Sequence, residues 1–166
     1  MFNKGEAIIY GTQGVCVISG IEVMNFGKEK REYYVLKPVY DENSTIYAPT
    51  DNETVTQKMR RVLTKDEIDS LIESLKNNDT EWINNDIERK EFCASVIEKG
   101  DRKELMHLVE MLYLRQKELK TQKKHFHLAD EKYLKEAEKI ISDELAYVIG
   151  IDKEEVSSYI IERINK

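Results

Sequence analysis

The sequence predicts an α+β protein, in which a small β-barrel is followed by an all-α domain of about five helices. Residues 1–63 contain short runs rich in valine and tyrosine with turn signals every ~8–12 residues, a spacing typical of small barrels and sandwiches. Residues 64–166 instead carry apolar side chains at helical spacing. Between them, Thr64-Lys65-Asp66-Glu67 matches a capping box, which starts a helix. We therefore predict two domains, 1–63 and 64–166.

The first domain has room for the five strands of an SH3-like or Tudor-like barrel. Glycines separate the first two strands, and the polar segment 27–30 predicts a hairpin tip. Pro49 closes a run of strand residues, as expected where a strand ends. The predicted strands are 7–10, 15–23, 32–39, 45–49 and 59–63.

The helix boundaries of the second domain follow from capping residues. Asn77-Asn78 ends the first helix, and Asp79 or Thr80 caps the second, which carries Trp82. The remaining predicted boundaries are Gly100 (end of the second helix), Asp101 (start of the third), Gly150 (end of the fourth) and Asp152 (start of the fifth).

The net charge of −6 argues against a protein that binds nucleic acid over a whole face, because such proteins carry a basic footprint. Residues 1–63 hold eight basic and eight acidic residues, so residues 64–166 carry all of the excess acidity. Any DNA contact must therefore be a small patch. The basic run 115–124, with five lysine or arginine residues and one glutamate, is either a solvated helix end or a phosphate-contacting edge.

The sequence predicts a cytoplasmic protein without a membrane span. The first residues lack the apolar run of a signal peptide, and no apolar stretch approaches ~18 residues. Cys16 and Cys93 are 77 positions apart and are expected to be buried, reduced thiols.

Catalytic motifs are not apparent in the sequence. His125 and His127 are two positions apart without a cysteine or carboxylate pair beside them, which is a weak metal spacing. Phosphate-binding glycine loops and nucleophile motifs do not occur. We therefore expect no enzymatic activity, and neither a cofactor, a metal nor a small-molecule ligand.

Trp82 is the only tryptophan, and it stands among polar residues near the change from strands to helices. One interpretation packs its ring in the helical core, with the indole N–H bonded to a carbonyl. The other presents the ring to DNA as an apolar wedge in the minor groove, which needs only a few nearby cations. The sequence leaves both interpretations open.

In their order and spacing, several segments resemble the CarD/CdnL family of bacterial transcription regulators over nearly the whole chain. The N-terminal segments are a glycine-acid pair with a tyrosine-ending strand and a glycine turn at 5–15, Tyr33-Tyr34-Val35-Leu36, the strand 46–49, and Met59-Arg60. The downstream features are Trp82, Gly100-Asp101 and Glu144-Leu145-Ala146.

The resemblance implies a Tudor-like domain, shared with transcription-repair coupling factor, that binds the β subunit of RNA polymerase through a strand edge. Familiar members of the family carry arginine at two of the matching positions, 24 and 47. The polymerase-binding residues carried over by position are Met24, Ile46, Tyr47 and Ala48.

The resemblance further implies a helical domain that contacts promoter DNA at the upstream edge of the transcription bubble. There the family tryptophan inserts into the minor groove and slows collapse of the bubble. Binding to free DNA is expected to be weak. The candidate DNA-binding residues are Trp82, Arg89, Lys90, Lys123 and Lys124.

Our main hypothesis is thus a non-catalytic regulator that binds RNA polymerase and stabilises open promoter complexes. The alternative is a protein-only adaptor, in which the barrel and the helical domain each bind a protein partner. In that alternative, Trp82 is buried in the core.

Overall fold

The structure, a computed structural model, describes residues 1–76 and 81–166, and of Phe26 the backbone alone. The described residues form two compact units, Met1–Leu63 and Thr64–Lys166. The first unit is a β-sheet with one short helix, and the second is helical, so the predicted α+β class is confirmed.

The first unit is a five-stranded antiparallel sheet with the order β4-β3-β2-β1-β5. Strands β2 and β3 form a long hairpin, in which Gly27 takes a positive φ at the tip. The helix α1 was not foreseen, because four residues are too few to show a helical period. The elements are β1 (Ala7–Tyr10), β2 (Val15–Phe26), β3 (Glu29–Pro38), β4 (Ile46–Pro49), α1 (Glu53–Thr56) and β5 (Met59–Arg61).

One face of this sheet carries the core of the first unit. Residues that alternate along a strand point to the same face. Every strand contributes at least one buried side chain to this face. Phe2 covers the cluster, with its ring edge against Tyr34 at 6.4 Å between centroids. The buried cluster consists of Ile8, Cys16, Ile18, Tyr34, Leu36, Ala48 and Met59.

The second unit contains five α-helices within its described residues. The buried apolar side chains of α4 include Leu105, Leu108 and Leu112, which lie on one stripe of the helix. A short 3-10 turn at Lys153–Glu155 leads into the last helix. The helices are α2 (Lys65–Leu75), α3 (Asp86–Lys99), α4 (Arg102–Thr121), α5 (Leu128–Ile149) and α6 (Val156–Ile164).

Most of the predicted helix boundaries are confirmed. The Thr64 hydroxyl accepts from the Glu67 N–H, and the Glu67 carboxylate accepts from the Thr64 N–H, which completes the capping box. Gly100 and Gly150 end α3 and α5 in the left-handed conformation, and Asp101 caps α4. The expected boundaries at 77–80 lie outside the described residues.

The prediction that Trp82 lies within a helix is wrong. The helix α3 begins only at Asp86, and residues 81–85 are not helical. Asn85 starts the helix, because its side-chain oxygen accepts from the backbone N–H groups of Ile87 and Glu88 at 3.0 and 3.1 Å. The tryptophan therefore stands in the segment that leads into α3.

Both cysteines are buried, as predicted. Burial raises the pKa of the Cys93 thiol to about 11. At neutral pH the thiol is therefore protonated, and it packs as a small apolar group.

Candidate functional site

The ring of Trp82 is half-buried and lies next to two guanidinium groups. The Cζ atom of Arg89 is 4.6 Å from the ring centroid, and the Cζ atom of Arg115 is 5.2 Å from it. A guanidinium within ~6 Å of a tryptophan ring is attracted to its face by roughly 0.5–2 kcal/mol. Trp82 thus packs against cations from α3 and α4 and is half-buried, so it is not one of the fully buried core side chains.

Arg89 uses all five of its N–H donors. Nε and Nη2 donate to the two carboxylate oxygens of Asp130, at 2.9 and 3.0 Å. Nη2 also donates to Asp86 at 2.7 Å, and Nη1 donates to the carbonyl oxygens of Ile83 and Asn84 at 2.9 and 3.5 Å. One side chain therefore joins the segment before α3 to the first turns of α3 and α5.

The burial of Arg89 corrects the expectation that it contacts DNA. The side chain is only 3% exposed, so its guanidinium cannot reach a phosphate without leaving its partners. Its hydrogen bonds to Asp130 raise the pKa of Arg89, so the guanidinium remains charged. Asp130 is itself buried, and a buried carboxylate requires such a counter-charge. The next residue, Lys90, is exposed.

Arg115 is held between the tryptophan ring and its own helix. Its Nη1 donates to Glu118 at 2.7 Å. Its Nε is buried, with no acceptor among the residues that the structure describes. A buried donor without a partner costs about 1–3 kcal/mol, and the contact with the Trp82 ring offsets part of that cost.

The turn after α4 presents the exposed side chains of Lys123 and Lys124. The backbone N–H of Lys124 donates to the Leu119 carbonyl at 2.8 Å, closing a Schellman-type turn. Lys123 occupies the left-handed position of this turn, with φ 55°. Within the described parts of the chain, no other residue except glycine has a positive φ.

The lysines of the run 115–124 border an open groove of about 890 Å³ at the C-terminal end of α4. Arg115 and Lys117 project about 200° apart, because an α-helix turns about 100° per residue. The basic run is therefore divided between the Trp82 surface and the groove. The groove is lined by residues that include Tyr113, Gln116, Lys117, Lys120, Lys124 and Phe126.

Strand β4 forms one edge of the sheet, and Tyr47 is its exposed residue. The Thr50 N–H donates to Glu32 on β3 at 3.0 Å, and antiparallel pairing alternates along a strand. The backbone N–H and C=O of Tyr47 therefore point to the open side of the sheet. Pro49 lies on the same side, where its missing N–H breaks no pairing with β3.

The other predicted polymerase-binding residues have different environments. Ala48 is fully buried and faces the core, and Ile46 packs against the same core. Met24 is half-buried near the tip of the hairpin, opposite Arg31. The strand register places Met24 and Tyr47 on the same face of the sheet. Only Tyr47 thus offers both an exposed side chain and an outward-facing backbone.

The described ranges 1–76 and 81–166 contain no cluster of three or more His, Cys, Asp or Glu side chains that could hold a metal ion. In the same ranges, no helix has the length and apolar character needed to cross a membrane. The sites that the geometry assembles are therefore a strand edge, a cation-flanked aromatic ring and a basic groove.

These features define a two-domain binding protein, and the chain belongs to the CarD-like family. The family described as "CarD-like/TRCF RID domain" matches residues 2–63, and "CarD, C-terminal domain" matches residues 70–161. The chain is 24% identical over 159 residues to "Putative transcription factor YdeB" of Bacillus subtilis (strain 168), covering 96% of this chain and 99% of that protein. The family resemblance drawn from the sequence is confirmed, and the family is one of transcription regulators that interact with RNA polymerase.

Proposed function

We propose that this protein is a non-catalytic regulator that binds the β subunit of RNA polymerase and stabilises the promoter open complex. The placement of Trp82 carries the proposal, since a large, half-buried ring lies next to two cations. Aromatic rings stack on unpaired bases with about 1–3 kcal/mol per base, and apolar side chains insert at unstacked steps. Such a contact stabilises the open complex only as far as it is stronger there than in the closed complex.

The polymerase contact is proposed to lie at the edge of β4. An edge strand can pair with a strand of a partner sheet, so that affinity comes from the main chain and leaves little trace in the sequence. Tyr47 presents its backbone there, and Met24 lies on the same face of the sheet. The contact is less charged than one made by arginine at these two positions.

The DNA contact is proposed to combine the Trp82 ring with a few exposed lysines. Lys90, Lys123 and Lys124 are free to reach phosphate oxygens, which position a protein on DNA without reading sequence. The buried Arg89 is not among these contacts.

Replacement of Trp82 by alanine tests the proposed function. We expect Trp82→Ala to bind RNA polymerase like the wild type and to shorten the open-complex lifetime by roughly tenfold, since ~1.4 kcal/mol of lost stacking corresponds to a factor of ten. The lifetime is measured by challenging preformed complexes with a competitor. Phe92→Ala serves as a control, because it removes a different aromatic ring, an exposed one, from the helical unit.

The adaptor alternative makes a different prediction for the same experiment. A protein that contacts only other proteins would give equal lifetimes for Trp82→Ala, Phe92→Ala and the wild type. That result would remove the DNA contact from the proposal. Loss of polymerase binding in Trp82→Ala would show that the tryptophan serves the protein interface instead.

A further inference from the structure

A single buried side chain organises the surroundings of the tryptophan. Arg89 lies against the Trp82 ring and donates hydrogen bonds to Ile83, directly after the tryptophan, and to Asp86 at the start of α3. Its other partner, Asp130, is 41 positions away, in the first turn of α5. The guanidinium group beside the ring is therefore held by partners in the segment before α3, in α3 and in α5.

This arrangement matters because residues 81–85 lack a helix or a strand of their own to hold them. The backbone before Asn85 is attached to α3 through the Nη1 bonds of Arg89. A side chain that must enter a base step gains affinity when its orientation is set before binding, because less motion is lost on contact.

We propose that Arg89 is the positioning residue for Trp82, and that its buried pair with Asp130 pre-orients the ring for DNA. This inference rests on the proposed DNA contact of Trp82. Arg89 itself touches no DNA in this mechanism. Lysine cannot replace it, because an ammonium group has three donors and cannot make the two parallel bonds to the carboxylate of Asp130.

The chain offers a matched control for the stability that such a pair supplies. Arg102 at the start of α4 donates to both carboxylate oxygens of Glu144 on α5, at 2.8 and 2.7 Å. Glu144 is buried like Asp130, and the two partners are 42 positions apart. The described contacts of Trp82 do not include Arg102. Arg102→Lys therefore disturbs a comparable ion pair without disturbing the ring.

The experiment compares full-length Arg89→Lys, Arg102→Lys, Trp82→Ala and the double variant Arg89→Lys/Trp82→Ala. Urea unfolding first establishes that each variant is folded under the assay conditions. Open-complex lifetimes are then measured with RNA polymerase. Quenching of Trp82 fluorescence by acrylamide is measured on the free proteins, since this is the only tryptophan.

We expect Arg89→Lys to shorten the lifetime several-fold and to raise the quenching constant, while Arg102→Lys changes neither. We also expect the double variant to match Trp82→Ala, because Arg89 acts through the ring. A wild-type lifetime for Arg89→Lys beside a shortened one for Trp82→Ala would overturn the positioning role alone. If Arg89→Lys and Arg102→Lys shortened the open-complex lifetime equally, both ion pairs would contribute only to the general stability of the fold.

A wild-type lifetime for Trp82→Ala overturns the proposed DNA contact, which is a separate failure. The fluorescence measurement still decides in that case whether Arg89 orients the ring. Unchanged quenching in Arg89→Lys would then refute the positioning role as well.

Discussion

Lys123 illustrates how one residue can be unfavourable for the fold and still suit a binding surface. Its left-handed φ of 55° is a conformation that normally selects glycine. A side chain in that conformation costs roughly 1–2 kcal/mol. Despite this cost, the lysine places an exposed ammonium group beside the basic groove.

Replacement of Lys123 by glycine should therefore stabilise the protein. We expect Lys123→Gly to raise the free energy of unfolding by roughly 0.5–1 kcal/mol, because released strain exceeds the greater flexibility of glycine in the unfolded chain. Lys123→Ala is the control, since it removes the charge and keeps the strained φ. Urea denaturation measures both. If glycine and alanine gave equal stabilities, the strain at this position would be negligible.

Arg89 and Arg115 show that two arginines beside one ring can have different surroundings. Both lie over the same ring, yet Arg89 is buried and fully hydrogen-bonded, whereas Arg115 has a buried Nε without an acceptor in the described structure. The family resemblance places Arg89 among the candidate DNA contacts. Its buried ion pair with Asp130 shows instead that it is engaged within the protein.

Among the elements, β4 is the strand most suited to a partner. It has four residues, lies at the edge of the sheet, and includes Pro49, which leaves its outer side short of donors. A proline at a sheet edge also limits unwanted pairing. Tyr47 consequently provides the outward N–H in the middle of the strand.

Removal of the outward backbone N–H of Tyr47 tests whether the edge of β4 binds the polymerase. We expect Tyr47→Pro to weaken binding to the isolated β subunit at least tenfold, because a donor to the partner strand is lost while pairing of β4 with β3 is retained. Tyr47→Ala keeps the N–H and serves as the control for the side chain. Circular dichroism monitors folding of the sheet. Full binding by Tyr47→Pro would place the interface elsewhere.

At the scale of the whole molecule, charge limits how the protein meets DNA. The chain carries a net charge of −6, and the acidity is concentrated in the helical half, where the DNA contact is proposed. Free DNA is therefore repelled in general and attracted only by a few local lysines. In the proposed mechanism, binding to polymerase overcomes this limit, because it would bring the tryptophan to the promoter at high local concentration.

Affinity for free duplex DNA should accordingly be weak and should fall with salt. With three phosphate contacts, from Lys90, Lys123 and Lys124, we expect log K against log salt to have a slope of about −3. Lys124→Ala should reduce the steepness by about one. Fluorescence anisotropy over a salt series measures both slopes. Tight duplex binding at physiological salt would contradict a contact that depends on polymerase.

Much of the fold was predictable because its determinants are local. The capping box at Thr64, the glycines that end α3 and α5, and the strand runs all act within a few residues of one another. The start of α3 was missed because Asn85 was not recognised as its cap. The short helix α1 was missed because it is shorter than the window over which a period can be recognised.

The sequence by itself determined the class of the protein, its two halves, most of its helix ends and its family. Tertiary structure alone decided that Ala48 faces the core, that Met24 and Tyr47 share one face, and that Arg89 is paired with Asp130. The physical reason is the range of the interactions. Caps and periodic patterns depend on neighbours in the chain, whereas the surroundings of Trp82 depend on side chains from three helices that meet only when the chain is folded.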